Sequence, residues 1–197
     1  MDQTLRFLQQ ENTRLQEQVR HLEDELAIFK DYLSALIRLD QAASQIGIES
    51  ELYPLLEKIL YYALTTLDAV DGSIALVDDE TDELVFVIVM GGIGTQLVNQ
   101  RMSKEEGIIG WVVAHGEPAL VNDVSKDVRF SPRNDNLFDF VTRSMVCVPL
   151  KLGSRMLGAI TVLNKHSGED FQEIDQCLLS LIARIAADAL DRMDDET

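Results

Sequence analysis

The stretch EGIIGWVVAHGEPALVND at residues 106–123, followed by RSMVCVPL at 143–150 and LGAITVLNK at 157–165, decides the fold of this chain. Its first part has the apolar spacing of a short helix, and Gly116 stands where glycine commonly closes a helix. The remaining stretches are apolar, β-branched runs punctuated by glycine and proline, which is typical of short strands.

Around these stretches, apolar periodicity places the other elements. A helix is predicted over 52–67 and another over 171–193, and two hairpins over 73–90 and 144–163. The order is helix, two strands, helix and strand, two strands, helix. This order predicts the α+β class, with a central antiparallel sheet and helices packed on one side of it.

A heptad repeat occupies the N-terminal part of the chain, before this domain. Nine of its ten a and d positions are apolar, which predicts a long coiled-coil helix. The tenth, Asn12, favours a parallel homodimer, because a buried Asn needs its twin across the axis. We therefore divide the chain into a coiled coil (1–44), a globular domain (45–193) and an acidic tail (194–197). The predicted dimer positions are Leu5, Leu8, Asn12, Leu15, Val19, Leu22, Leu26, Phe29, Leu33 and Leu36.

Composition excludes several classes of function. The 197 residues carry a net charge of −17, which argues against binding to nucleic acid or to anionic membranes. No run is long enough to span a bilayer and no signal peptide is recognisable, so we expect a cytoplasmic protein. The two cysteines, Cys147 and Cys177, form neither a disulfide framework nor a zinc site.

The glycine- and proline-punctuated stretches quoted above resemble, in order and spacing, the GAF domain, over about residues 52–193. The resemblance implies a regulatory sensor without enzymatic activity, with a small-molecule pocket on one face of the sheet and dimerising helices on the other. Such modules relay a signal through flanking helices to an output domain or to a downstream signalling protein. In this chain the relay would run through the helices at 52–67 and 171–193 to residues 40–47, where the heptad fails.

Cyclic-nucleotide-binding members of the family carry a signature that this chain matches in part. Asn164, Lys165, Phe171 and Asp175 stand in the expected order, but Gln176 replaces the final Glu. The resemblance implies that Lys165 and Asp175 form an ion pair that organises the pocket. The substituted position leaves nucleotide binding open.

The resemblance also suggests which residues form the pocket. They are Ser73, Ile108, Ile109, Asn122, Asp123, Lys126, Arg129 and Arg133. The three cations of this set concentrate positive charge on an otherwise acidic protein, so we expect any ligand to be a small anion or a nucleotide. Solvated surface cations are the alternative interpretation.

Catalytic and cofactor motifs are weak in this sequence. Cys147 and Cys177 lack the motifs that attach a bilin or reduce methionine sulfoxide, and both are interpreted as packed side chains. His115 follows a short helix, so a haem is not expected, and the three histidines are too scattered for a metal site. A ligand-free homodimerisation and docking module remains the alternative to the sensor, and a small enzyme is the third hypothesis. The ligand and the output partner stay open.

Overall fold

The structure is a computed structural model that describes residue 11 and residues 13–20, 52–92 and 94–194. The chain divides into two compact units, residues 1–38 and residues 39–197. In the first unit, residues 13–20 are helical, and the a and d residues Leu15 and Val19 are 50% and 52% exposed. The other eight predicted dimer positions lie outside the described residues, so the coiled coil stays a prediction, as do the domain boundaries.

The second unit begins with helix α1 (Leu52–Thr66), which buries the predicted apolar stripe. Strands β1 (Ala69–Asp78) and β2 (Glu83–Met90) follow as an antiparallel hairpin. The Asp78 carboxylate closes its turn by accepting the N–H groups of Glu80 and Thr81. Strand β1 begins four residues before the predicted start, because Ala69 pairs with Lys165, which comes much later in the chain.

The middle of the unit contains three short elements. Strand β3 (Arg101–Ser103) pairs with β2, helix α2 spans Gly107–His115, and strand β4 spans Ala119–Val121. Sequence analysis missed β3, since three residues are too few to show an alternating pattern. Helix α2 ends as predicted at Gly116, whose φ of 66° is left-handed and whose N–H donates to the Val112 carbonyl at 2.8 Å.

The last part completes the sheet. A connection at residues 122–144, which we call the lid, contains helix α3 (Arg133–Phe138) and leads into β5 (Met145–Leu152). Strand β6 (Arg155–Lys165) and helix α4 (Glu173–Asp194) follow. The six strands lie in the order β3-β2-β1-β6-β5-β4, and every pair is antiparallel, which confirms the predicted class and sheet.

The helices do not all lie on one side of the sheet, and that part of the prediction is wrong. A side chain at Gly72 would meet Leu60 and Leu64 of α1, so this parity of β1 faces α1. The opposite parity contributes Ala75 to a core cluster with Val112 of α2. Helix α2 and the lid therefore cover the second face, because the strands carry buried side chains on both of their faces.

Candidate functional site

A cavity of about 70 Å³ lies between the second face of the sheet, the start of α2 and the lid. This volume holds several water molecules or part of a small organic molecule. About half of its lining residues are apolar. Those on the sheet and its edge are Ser73, Phe86, Leu97, Met102, Met145, Thr161 and Leu163. Those on α2 and the lid are Glu106, Gly107, Ile108, Ile109, Phe130, Ser131, Asn134, Asp135 and Thr142.

Ser73 is the unusual polar residue of the cavity floor. It is 5% exposed, and its hydroxyl forms no hydrogen bond with any residue that the structure describes. Its neighbour across the strands, Thr161, donates its hydroxyl to the Cys147 Sγ at 3.4 Å. Since buried polar groups are normally paired, the free Ser73 hydroxyl is available to a ligand or a water molecule.

Glu106 connects the start of α2 to the lid. Its carboxylate accepts a hydrogen bond from the Ser131 hydroxyl at 2.9 Å and pairs with the Arg133 guanidinium at 3.2 Å. Its side chain does not cap the helix, so the N–H groups of the first turn stay free of it. The carboxylate therefore holds the lid against the mouth of the cavity.

The three predicted cations lie outside the cavity lining, and each one is paired with a carboxylate. Lys126 contacts Asp123 at 2.7 Å and Arg133 contacts Glu106. The Arg129 guanidinium donates two hydrogen bonds to Asp127, at 2.9 and 2.6 Å, and this pairing lowers the pKa of the Asp127 carboxyl below its usual value. The positive charge seen in the sequence is thus largely neutralised by two carboxylates of the lid and by Glu106 at the start of α2.

Arg129 also fixes the lid against helix α2. Its guanidinium carbon lies 4.4 Å from the Trp111 ring centroid, a cation–π contact. The Trp111 ring in turn stacks on His115 with centroids 4.5 Å apart. Arg129 therefore has a packing role in the structure, as does His115.

Asn122 and Asp123 also lie outside the lining, where they shape the beginning of the lid. The Asn122 side chain accepts the Phe171 N–H at 2.8 Å and donates to the Phe171 carbonyl at 3.0 Å. Asp123 accepts the Ser125 N–H and caps a short 3-10 helix at Val124–Lys126. Of the eight predicted pocket residues, the cavity thus includes Ser73, Ile108 and Ile109.

The four signature residues come together at the junction of β6 and α4. Lys165 and Asp175 form the predicted ion pair at 2.7 Å, with side chains only 12% and 2% exposed. The Asp175 carboxylate also accepts the Gln172 N–H, and the Lys165 ammonium lies 5.5 Å from the Phe171 ring centroid. Two charges this deeply buried remain stable only as a pair.

Asn164 holds the other end of the lid. Its side-chain carbonyl accepts the N–H groups of Arg143 and Ser144, and its amide donates to the Val141 carbonyl at 3.0 Å. Asn164 itself adopts a left-handed φ of 51°, a conformation that Asn tolerates better than most residues. Asn122 and Asn164 therefore bind the two ends of the lid to the segments that flank the ion pair.

A family model described as the GAF domain matches residues 49–191, well over half of the chain. This chain is a member of the GAF domain family. Membership identifies the matched region as a regulatory domain and agrees with the predicted resemblance.

The relatives show how the domain is used elsewhere. The chain is 30% identical over 151 residues to the dual 3',5'-cyclic-AMP and -GMP phosphodiesterase 11A of Takifugu rubripes. The match covers 72% of this chain but 17% of the phosphodiesterase, so the chain spans less than a fifth of that relative. The similarity is therefore to a part of the enzyme.

Solved structures show the same fold. The GAF domain of a Coxiella burnetii phosphoenolpyruvate-protein phosphotransferase superposes with a TM-score of 0.74 at 18% identity, over 84% of this chain and 95% of that one. The free methionine-R-sulfoxide reductase of Neisseria meningitidis superposes with a TM-score of 0.70 at 20% identity, over 84% and 92% of the two chains. At these identities the likeness concerns the fold alone.

Burial raises the pKa of the Cys147 thiol to about 12, so it stays protonated. Cys177 is exposed on α4, so the interpretation of both cysteines as packed side chains is correct for Cys147 and wrong for Cys177. Within the described ranges, no three His, Cys, Asp or Glu side chains group as metal ligands would. In the same part of the chain, no helix is both long and apolar enough to cross a membrane.

Sequence analysis missed all five lid residues that line the cavity. A signal was nevertheless present, because Phe130, Phe138 and Phe140 are aromatic residues in a mainly polar loop, and all three pack against the core beside the cavity. Asp135 was also overlooked. Its carboxylate accepts the N–H and the hydroxyl of Thr142 at 2.7 and 2.8 Å and thereby closes the lid on itself.

Proposed function

We propose that this chain is a non-enzymatic regulatory module that binds a small ligand in the GAF cavity and relays binding through dimeric helices. The observation that carries the proposal is the Ser73 hydroxyl, which is 5% exposed, lines the cavity and has no partner among the described residues. A cavity with no ligand would normally bury apolar side chains there or pair the hydroxyl. Ligand binding supplies the missing partner.

The relay is supported by the way the lid is attached. Asn122 ties the beginning of the lid to Phe171, two residues before α4, and Asn164 ties its end to the strand that carries Lys165. A ligand that shifts the lid therefore strains the segments that position the start of α4. Such coupling requires that the ligand bind two arrangements of the lid with different affinity.

The homodimer is supported by the heptad repeat and by two of its positions. Leu15 and Val19 each expose about half of their surface in the isolated chain, although both are large and apolar. A second copy of the chain would cover them in a coiled coil. We propose further that the dimer acts on an output domain or a signalling protein, because related GAF domains occur as parts of much larger proteins.

Native mass spectrometry of the purified full chain tests both parts of this proposal. We expect a dimer that carries a defined extra mass, and we expect Ser73→Val to lose that mass by removing the hydroxyl and filling the cavity. Ser180→Val on α4, which makes the same change outside the cavity lining, is the control. If both variants keep the extra mass, the ligand lies elsewhere.

The dimer has its own matched pair of variants. Leu15→Asp places a charge at a d position and should yield monomers, whereas Gln16→Asp places the same charge outside the a and d positions and should not. Dimers of equal strength in both variants would overturn the coiled-coil proposal.

A ligand-free docking module is the second candidate. Its support is the set of exposed apolar side chains on α1 and α4, namely Tyr53, Tyr61, Ile174 and Leu181. A bare dimer in the native spectrum, with no small molecule that shifts the signals of the cavity residues, would favour this candidate over the sensor.

A further inference from the structure

We propose that the ligand of this cavity is uncharged: a small, mainly apolar molecule that offers a hydrogen-bond acceptor, such as a carbonyl oxygen or a ring nitrogen. The proposal rests on the proposed sensor function and narrows the class of ligand. It differs from the anionic ligand that the lid cations suggest from sequence alone.

The charges around the cavity argue against an anion. Two carboxylate residues, Glu106 and Asp135, are among its lining residues, while its lining contains no Lys, Arg or His from the described part of the chain. A negative ligand would approach these carboxylates in a partly enclosed space, where charges are poorly screened.

The nearby cations do not reverse this balance. Arg133 offsets Glu106, with which it pairs, and Arg129 is held by both oxygens of Asp127. Asp135 is held only by the N–H and hydroxyl of Thr142, and no cation within the described ranges pairs with it. Its negative charge therefore remains uncompensated beside the cavity.

The free hydrogen-bonding groups at the cavity are donors, so they favour a ligand that has an acceptor atom. The Ser73 hydroxyl has no partner in the described part of the chain, and the first-turn N–H groups of α2 belong to lining residues, Ile108 and Ile109 among them. The start of a helix also attracts negative charge, but its N-cap residue, Glu106, already carries one. A neutral acceptor satisfies the donors without the repulsion from Asp135.

The apolar part of the lining indicates the chemical character of the rest of the ligand. Aromatic and thioether side chains line the cavity together with its polar groups, and such a surface suits a flat ring. These side chains belong to Phe86, Phe130, Met102 and Met145. The cavity thus combines aromatic and thioether side chains with a few hydrogen-bond donors, as small-molecule sites commonly do.

A matched set of probes tests this charge preference. We would screen aromatic compounds of a single ring, each in three forms: the carboxamide, the carboxylate and the amine. Binding to the full chain would be followed by the methyl signals of Met102 and Met145, which line the cavity, against Met90 and Met156, which do not. We expect the carboxamides to bind at least about tenfold more tightly than their carboxylates.

A pair of variants tests the charge preference without relying on the order in which the wild-type chain binds the three probe forms. Asp135→Asn should improve carboxylate binding by about tenfold and leave carboxamides within about twofold. Asp139→Asn removes the same charge at the end of the same helix, outside the lining, and should change neither. A hydrogen–deuterium exchange profile of the lid would show that Asp135→Asn keeps its closed arrangement.

The outcomes separate this inference from the function on which it rests. Carboxylates that bind as tightly as the carboxamides overturn the uncharged ligand but leave the sensor in place. Amines that bind more tightly than both would also overturn it. If no form of any ring shifts Met102 or Met145, this inference fails, and the native mass spectrum decides separately whether the sensor function fails as well.

Discussion

The two faces of the sheet solve the same packing problem in different ways. Toward α1 and α4, the central strands present large branched side chains, all less than 1% exposed: Ile74, Val146, Val148, Ile160 and Val162. Toward α2 and the lid, the same strands present small or polar side chains at alternate positions: Ser73, Ala75, Cys147, Ala159 and Thr161. On the first face the large side chains of the strands fill the space, whereas on the second face the smaller side chains leave room for the cavity.

This difference teaches that the cavity is a consequence of side-chain size on one parity of the strands. Because alternate residues of a strand point to opposite faces, a single run can build a packed core and a binding site together. The lid is then needed to close the second face, and its aromatic residues complete the core there. The following predictions test whether the two faces differ as described.

The largest effect is expected at the buried ion pair between Lys165 and Asp175. Lys165→Met leaves Asp175 buried without a partner and should lower the free energy of unfolding by about 3–5 kcal/mol. Lys126→Met breaks a pair whose lysine is 82% exposed, so solvent screens the pair and the free energy of unfolding should fall far less. Chemical denaturation measures both, and equal losses would mean that the Lys165 pair is not effectively buried.

A smaller effect is expected from an added methyl group on the filled face. A Cβ at Gly72 would lie 2.7 Å from the Thr161 carbonyl oxygen and 2.9 Å from a Leu64 methyl carbon. Gly72→Ala should therefore cost about 1–3 kcal/mol in the free energy of unfolding. Gly92→Ala meets no atom closer than 3.5 Å and serves as the control in the same denaturation experiment.

The buried thiol of Cys147, in the core on the same side of the sheet as the cavity, gives a pH-dependent effect. Burial raises the pKa of Cys147 to about 12 from 9.0, so above about pH 9 the unfolded chain releases a proton that the folded chain keeps. Stability is therefore lost as the pH rises, by about 1.4 kcal/mol between about pH 8 and 10. Compared with Cys147→Ala, the wild type should show this additional loss, whereas Cys177→Ala should match the wild type. Parallel curves for wild type and Cys147→Ala would contradict the prediction.

The smallest effect is expected from enlarging the residue next to Gly72 on the opposite face. Ser73→Val removes a hydroxyl that has no partner among the described residues and adds carbon atoms beside open space. The free energy of unfolding should stay within about 0.5 kcal/mol of the wild type. A loss as large as that of Gly72→Ala would show that the second face is as tightly packed as the first.

Sequence patterns predicted most of the helices and strands, because a long run of regularly spaced apolar residues becomes buried in almost any fold. Strand β2 has the predicted ends, and α1 ends within one residue of its prediction. Strand β3 and the early start of β1 were missed, because both exist only through pairing with a distant strand. The positive charge of Lys126, Arg129 and Arg133 was recognised, but the pairing of these three cations with carboxylates was not.

The sequence by itself determined the family and the Lys165–Asp175 pair, through the resemblance of its motifs to the GAF domain, and it determined the sheet and its helices through apolar periodicity. The heptads predict a dimer on the same basis. Only the tertiary structure decided which side chains enclose the cavity and which charges remain unpaired there. Residues as distant as Ser73 and Asp135 line one space because the chain folds back on itself, and no local pattern carries that information.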